Sequence, residues 1–257
     1  MRDERPCAGR AAPAVWFAYS PDRKGENPQT HLENFTGVLH ADGDAGFAKL
    51  YEGGQVREAA CWAHIRRKFF DLHAANASAI AAEMIDRIGA LYALEKAIRG
   101  RPRDERRAVR QERSRPLLDA MYAWLQQTLV TLSRKSALAK AIFYALHRWE
   151  ALCRFCEDGR IEIDNNAAER ALRCVALGRK NFLFAGSDAG GERAAAIYSL
   201  LGSAKLNGLN LEAFLREVLA RIADHPINRI AELLPWNLKS SEAMQITDSA
   251  ETVALRA

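Results

Sequence analysis

Through residues 76–158 the apolar side chains recur at helical spacing, and this periodicity constrains the fold more than any other feature. Met84, Ile88, Leu91 and Ile98 form one stripe. Leu118, Met121, Leu125, Leu129 and Leu132 form a second, and Leu138, Ile142, Ala145, Trp149, Leu152 and Cys156 a third. Intervals of three and four place such residues on one face of a helix, which a strand period of two cannot do. The last two stripes flank Ser133-Arg134-Lys135-Ser136, a spacing that predicts an antiparallel helical hairpin.

Shorter signals lie on either side. Ala14 to Tyr19 reads as a strand, Ser20 to Gly25 as a turn, and Pro28 to Phe35 as a short helix. Gly37 to Ala41 reads as a buried strand running into Asp42-Gly43. Ala45 to Glu52 is a short helix, Arg57 to Trp62 a further strand, and Ala63 to His73 a basic helix. After the helical block, Asp164-Asn165-Asn166-Ala167-Ala168-Glu169-Arg170 opens a helix to about Leu177. Asn181 to Ala185 is expected as a strand and Gly186 to Gly191 as a loop. Glu192 to Leu206 and Leu211 to Ala223 are expected as helices. The chain is therefore α/β in class but mostly helical.

Composition excludes several classes. In 257 residues, 49% are hydrophobic and 27% charged, which fits a globular chain with enough length to bury a core. No apolar run is long enough to span a bilayer, and Ala14 to Tyr19 is too short for a signal peptide. The five cysteines, Cys7, Cys61, Cys153, Cys156 and Cys174, then read as reduced thiols. The expected location is the cytoplasm.

Charge is concentrated. Residues 99–115 hold eight arginines (99, 101, 103, 106, 107, 110, 113 and 115) against Asp104, Glu105 and Glu112, a surplus equal to the whole chain's +5. Two readings stand. Arg106, Arg107 and Arg110 contact DNA phosphates, or the segment is a solvated helical face. Arg170, Arg173, Arg179 and Lys180 offer a second candidate path for a DNA backbone, against simple exposure with local ion pairs.

Asp42 and Glu169 are the sharpest catalytic candidates. Oxygen donors suit hard divalent cations, and a metal pair shared by carboxylates activates an attacking oxygen and stabilises a leaving one in phosphoryl transfer. The plainer readings are a turn Asp before Gly and a capping box from Asn166 to Glu169. Cys61-x-x-His64 and Cys153-x-x-Cys156 have zinc-ligand spacing, but Cys153 and Cys156 lie on or beside an apolar stripe, where buried thiols explain them. The glycines from 186 to 191 lack the lysine of a P-loop. No Ser-His-Asp or His-Glu-x-x-His pattern occurs.

Six strings in order add to this. They are Tyr19-Ser20-Pro21-Asp22-Arg23-Lys24-Gly25, Ala41-Asp42-Gly43-Asp44-Ala45-Gly46-Phe47, and Cys61-Trp62-Ala63-His64-Ile65-Arg66-Arg67-Lys68-Phe69. Then come Ile163-Asp164-Asn165-Asn166-Ala167-Ala168-Glu169-Arg170, Gly186-Ser187-Asp188, and Leu234-Pro235-Trp236-Asn237. Over roughly residues 1–238 the chain resembles the insertion-sequence-66 family of bacterial transposases.

The resemblance implies an incomplete RNase H-like core with a large all-α insertion. Residues 1–75 would form the first part of the core, 76–158 the insertion, and 159–208 the second part with the Glu helix. Residues 209–239 would be a C-terminal helical segment and 240–257 a loose tail. It implies DNA cleavage and strand transfer by three carboxylates holding Mg2+ or Mn2+, with Asp42 and Glu169 as the second and third. Cys61 and His64 would be a structural motif. The implied partners are the element's DNA ends and target, further copies of the chain and accessory transposition proteins, with no membrane.

Neither Asp3 nor Asp22 stands at the first catalytic position, so the chain is expected to be an N-terminally truncated transposase, incomplete as a catalyst by itself. Asp44 replaces the Tyr usual in relatives, which adds a negative charge. The alternatives are a non-catalytic nucleic-acid-binding remnant and a helical regulator acting through the arginine strip.

Overall fold

A computed structural model of the chain describes residues 12–22, 24–41, 43, 45–181 and 184–238. It divides into two compact units, 1–9 with 23–168 and 10–22 with 169–257.

The first unit opens with α1 (Glu26–His31), β1 (Gly37–Ala41), a 3-10 turn and α2 (Ala48–Glu52), and β2 (Val56–Ala60). β1 and β2 pair in parallel with Gly37 beside Val56 and Ala41 beside Ala60, so both strands end at the same level. α3 (Trp62–Asn76) and α4 (Ala79–Ile98) follow, then α5 (Arg103–Val109), a wider π turn at Arg110–Ser114, and α6 (Arg115–Val130). α7 (Ala137–His147) and α8 (Trp149–Cys153) complete the block. Ser78 and Ser136 start α4 and α7 by accepting the amides of Ala81 and Ala139, as N-caps do.

One apolar core runs through this unit. Ile65 and Phe69 of α3 meet Met84, Ile88 and Leu91 of α4, Leu118, Met121 and Leu125 of α6, Ile142 and Ala145 of α7, and Ile163 beyond the block. The three sequence stripes supply half of its buried residues. The hairpin expected around Ser133 to Ser136 is α6 followed by α7, and the third stripe breaks at Arg148 into α7 and α8.

The arginine strip requires a correction. Arg106 and Arg110 are 1% and 0% exposed, and both pair with the buried carboxylate of Glu95 on α4. Arg110 gives Nε and Nη2 to Glu95 at 2.8 and 2.7 Å, and its Nη1 reaches the carbonyls of Phe155 and Asp158. Arg106 also pairs with Glu162 at 2.8 Å. The π turn carries Arg110 and Ser114 inward. These two arginines therefore hold the block together and do not face a DNA backbone. Arg107 is exposed.

The second unit contains α9 from Glu169 onward (the helix spans Asn166–Asn181), α10 (Asp188–Leu206), α11 (Leu211–Arg221) and a 3-10 segment, Ile227–Leu233. Phe214 of α11 is buried with Ala204, Leu209 and Leu238. Residues 14–19 do not form the expected strand: they join no sheet among the described residues and pair with a helix instead. Val15 and Phe17 donate their amides to Ser203 Oγ and Ser199 Oγ at 3.1 and 2.8 Å, and Asn207 donates to the Pro13 carbonyl at 2.9 Å. Two extended residues advance about 6.7 Å and four helical residues about 6 Å, so an antiparallel segment stays in register with a helix that presents polar groups every four positions. Gly191 of α10 makes room for the Tyr19 ring, which a Cβ would strike.

The strand expected over 181–185 falls partly outside the described residues, and Asn181 ends α9. α10 starts at Asp188, inside the expected loop, because Ser187 accepts the Gly190 amide and caps it.

Candidate catalytic site

The carboxyl ends of β1 and β2 organise the candidate site, as such ends commonly do in parallel sheets. β1 ends at Ala41. Asp42 and Asp44 follow and lie outside the described residues. Beyond β2, Cys61 is buried as the N-cap residue of α3. Burial pushes its thiol pKa up, against the lowering effect of the backbone groups of Asn165, His64 and Ala63 beside it. Trp62 then fixes two distant segments. Its amide donates to the Ile163 carbonyl at 3.1 Å, and its indole Nε1 donates to the Leu152 carbonyl at 2.8 Å. Its ring meets Trp149 edge-on at 5.7 Å.

Ile163 leads into Asp164, whose carboxylate accepts three hydrogen bonds. The Asn166 amide reaches Oδ1 at 3.1 Å, while Asn166 Nδ2 and the Tyr92 hydroxyl reach Oδ2 at 2.8 and 2.9 Å. Asp164 thus satisfies an amide at the start of α9 and anchors that start to α4. Tyr92 is held protonated by burial first, then by the charge and hydrogen bond of Asp164. In the sequence, Asp164 stands out only as part of a longer string. The signal available was an Asx residue two positions before a helix start, which commonly binds that helix's free amides.

A cavity of about 580 Å³ opens beside these residues, lined in part by His40, Arg57, Asp158, Arg160, Asp164 and Asn165. Burial lowers the His40 pKa, and the Ala60 backbone works in the opposite direction.

Arg148, between α7 and α8, reaches back to the strand ends. Nη1 donates to Glu58 Oε1 at 2.7 Å, and Nη2 donates to the Gly43 carbonyl at 3.1 Å. The guanidinium lies 5.0 Å from the Tyr144 ring centre. Gly43 has φ +83°, a left-handed conformation that favours glycine, and a Cβ there would collide with the Arg148 guanidinium. Sequence patterning did not single out Arg148, because nothing local marks a residue whose partners lie 90 and 105 positions away.

Glu169 is half-buried in the first turn of α9 and belongs to the second unit. Arg170, Arg173, Arg179 and Lys180 follow on the same helix and are exposed. Cys153 and Cys156 are buried, and burial raises their thiol pKa values to about 11 and about 12. Among the described residues, no group of three or more His, Cys, Asp or Glu side chains forms a metal-binding cluster. No helix among them is long and apolar enough to cross a membrane.

A model of the "Transposase IS66 family" matches residues 1–193, and one of the "IS66 C-terminal element" matches residues 199–236. The chain belongs to the IS66 family of transposases. Three proteins of Sinorhizobium fredii are similar to it. Uncharacterized protein y4hP is 43% identical over 95% of this chain and 47% of its own length. Uncharacterized protein y4qI is 40% identical over 93% and 46%, and uncharacterized protein y4jD 40% over 95% and 49%. The chain therefore spans about half the length of these curated relatives. No solved structure matches it.

Proposed function

We propose that this chain carries the second and third carboxylates, Asp42 and Glu169, of a transposase that cleaves DNA phosphodiesters and transfers strands. The observation that supports this is the bond from the Trp62 amide to the Ile163 carbonyl. It seats the Asp-Asn-Asn segment against the carboxyl end of the strand pair. Asp42 follows one of those strands directly, and Glu169 falls one turn into the helix that this segment opens.

Asp42 and Glu169 would hold Mg2+ or Mn2+, and their oxygen donors suit such cations. When bound, the ions would supply charge stabilisation for the oxygens that attack and leave. The chain's own groups do the positioning. Asp164 fixes the start of α9, Tyr92 fixes Asp164, and Arg148 holds the carbonyl of the residue after Asp42. The exposed cations of α9 (Arg170, Arg173 and Lys180) would follow a DNA backbone, an arrangement that neutralises phosphates without reading sequence. Those same cations favour the second reading, a non-catalytic nucleic-acid-binding protein. A regulator working through the arginine strip loses its anchors, because Arg106 and Arg110 are buried.

Because the first carboxylate is expected to be missing from this chain, the test of the proposal is strand cleavage on DNA carrying the element's ends, with Mg2+ or Mn2+, by the chain joined to the segment of a longer relative that carries that carboxylate. Cleavage abolished by Asp42→Ala and by Glu169→Gln supports it. Cleavage that survives either substitution contradicts it, and binding without cleavage under both metals favours the second reading.

A further inference from the structure

Arg148 belongs to the helical block, yet its guanidinium is spent at the strand ends. Its backbone is fixed from both directions, with its amide bonded to Ala145 at 3.2 Å and its carbonyl to the Leu152 amide at 2.9 Å. The side chain rests over the Tyr144 ring, whose centre also lies 4.4 Å from Lys68 Nζ. Glu58 and Arg148 are both 22% exposed, so water screens this pair less than a surface ion pair. A guanidinium held in this way has little freedom, and its two outer nitrogens form a rigid fork. One tine takes the Glu58 carboxylate, which projects from the middle of β2. The other takes the carbonyl of Gly43, in the loop that leaves β1. Gly43 completes the fit, since its left-handed backbone and missing Cβ let the guanidinium approach.

We propose that Arg148 is a positioning residue for divalent-metal binding: by bridging Glu58 and the carbonyl of Gly43, the residue that follows Asp42 in sequence, it couples the helical block to metal affinity. The inference rests on the reading of Asp42 as a metal-holding carboxylate. Groups that orient a metal ligand from behind cost about 10- to 100-fold in metal affinity when removed. A purely structural Arg148–Glu58 ion pair would make no such demand on the second tine.

The test is titration of the full chain with Mn2+, followed by electron paramagnetic resonance of the free ion, in four proteins: wild type, Arg148→Lys, Arg148→Met and Asp42→Asn. Lysine keeps the charge against Glu58 and a stem over Tyr144, but its compact ammonium does not span both acceptors. Mn2+ binding weakened about ten-fold or more in both Arg148 variants, with Arg148→Lys melting near the wild-type temperature, is the expected result. Wild-type affinity in Arg148→Lys overturns the inference, and that variant decides the matter if Arg148→Met fails to fold. Asp42→Asn separates the two claims. If it binds Mn2+ as wild type does, the reading of Asp42 falls and takes the inference with it. If it alone loses binding, only the positioning role falls.

Discussion

Tyr92 on α4 donates its hydroxyl to Oδ2 of Asp164 at 2.9 Å, across 72 residues of chain. The helical block thereby holds the segment that begins the Glu169 helix. The same carboxylate also takes both donors of Asn166. Tyr92→Phe removes one donor and leaves the ring. Hydrogen bonds to charged acceptors contribute about 1.5–3 kcal/mol, so a loss of about 1.5 kcal/mol is expected. It is read as a lower urea midpoint at unchanged slope. An unchanged midpoint would show that Asn166 suffices to hold Asp164.

The buried arginines make a sharper contrast. Arg110→Met leaves the Glu95 carboxylate inside the block with one of its two cations gone. Breaking a buried pair costs about 3–5 kcal/mol. Arg107→Ala, three positions earlier and exposed, should change stability by no more than about 0.5 kcal/mol. Urea unfolding of the two variants checks this, and similar small losses in both would contradict the buried network.

This pair also shows what the sequence made legible. The stripes from Met84 to Cys156 located α4, α6, α7 and α8, because burial on one helical face leaves a periodic trace. β1 is legible as a buried strand ending in Asp-Gly and β2 as a run ending in Cys-Trp, whereas their parallel pairing leaves no local trace. Charge leaves no such trace. Arg106 and Arg107 are neighbours of identical type, and what distinguishes inside from outside is Glu95, eleven positions from Arg106 on another helix, together with Glu162. The segment from Ala14 to Tyr19 has strand-like patterning but joins no sheet among the described residues; its partners are the hydroxyls of Ser199 and Ser203 on a helix, which strand patterning cannot anticipate. At the candidate site, Asp42 and Glu169 were legible from their strings. Arg148 and Tyr92 were not, since their work depends on contacts across long stretches of chain.

Asp158 offers a pH test. Hydrogen bonding from Arg160 holds its carboxyl pKa down from 3.8 to about 2. A carboxyl whose folded pKa is depressed contributes stability above its unfolded pKa and loses it as pH falls through the folded value. Arg160→Met should therefore return the Asp158 titration toward 3.8, lower stability above about pH 4, and abolish the loss that the unsubstituted chain shows between about pH 4 and pH 2. A carbon-13 NMR titration of the Asp158 carboxyl measures this directly. Titration near 4 in the unsubstituted chain would contradict the pairing.

Thiol reactivity separates exposed from buried cysteines. Burial raises the pKa values of Cys61, Cys153 and Cys156, and a thiol attacks only as thiolate. Cys174 is exposed on α9. Brief alkylation with iodoacetamide at neutral pH, mapped by mass spectrometry, should modify Cys174 before Cys61, Cys153 and Cys156, which stay unmodified until the chain unfolds. Early labelling of Cys153 or Cys156 would contradict their place in the core.

The central claim is that Asp42 and Glu169 share divalent metal. Iron-mediated affinity cleavage tests it most directly. Fe2+ is bound in place of Mg2+, ascorbate and peroxide are added, and the backbone cuts are mapped by mass spectrometry. Two groups of cuts are expected, one around residue 42 and one around residue 169, both suppressed by excess Mg2+ and both lost in Asp42→Asn. Cuts near one of these residues without the other, or cuts that Mg2+ does not suppress, would contradict a shared metal site.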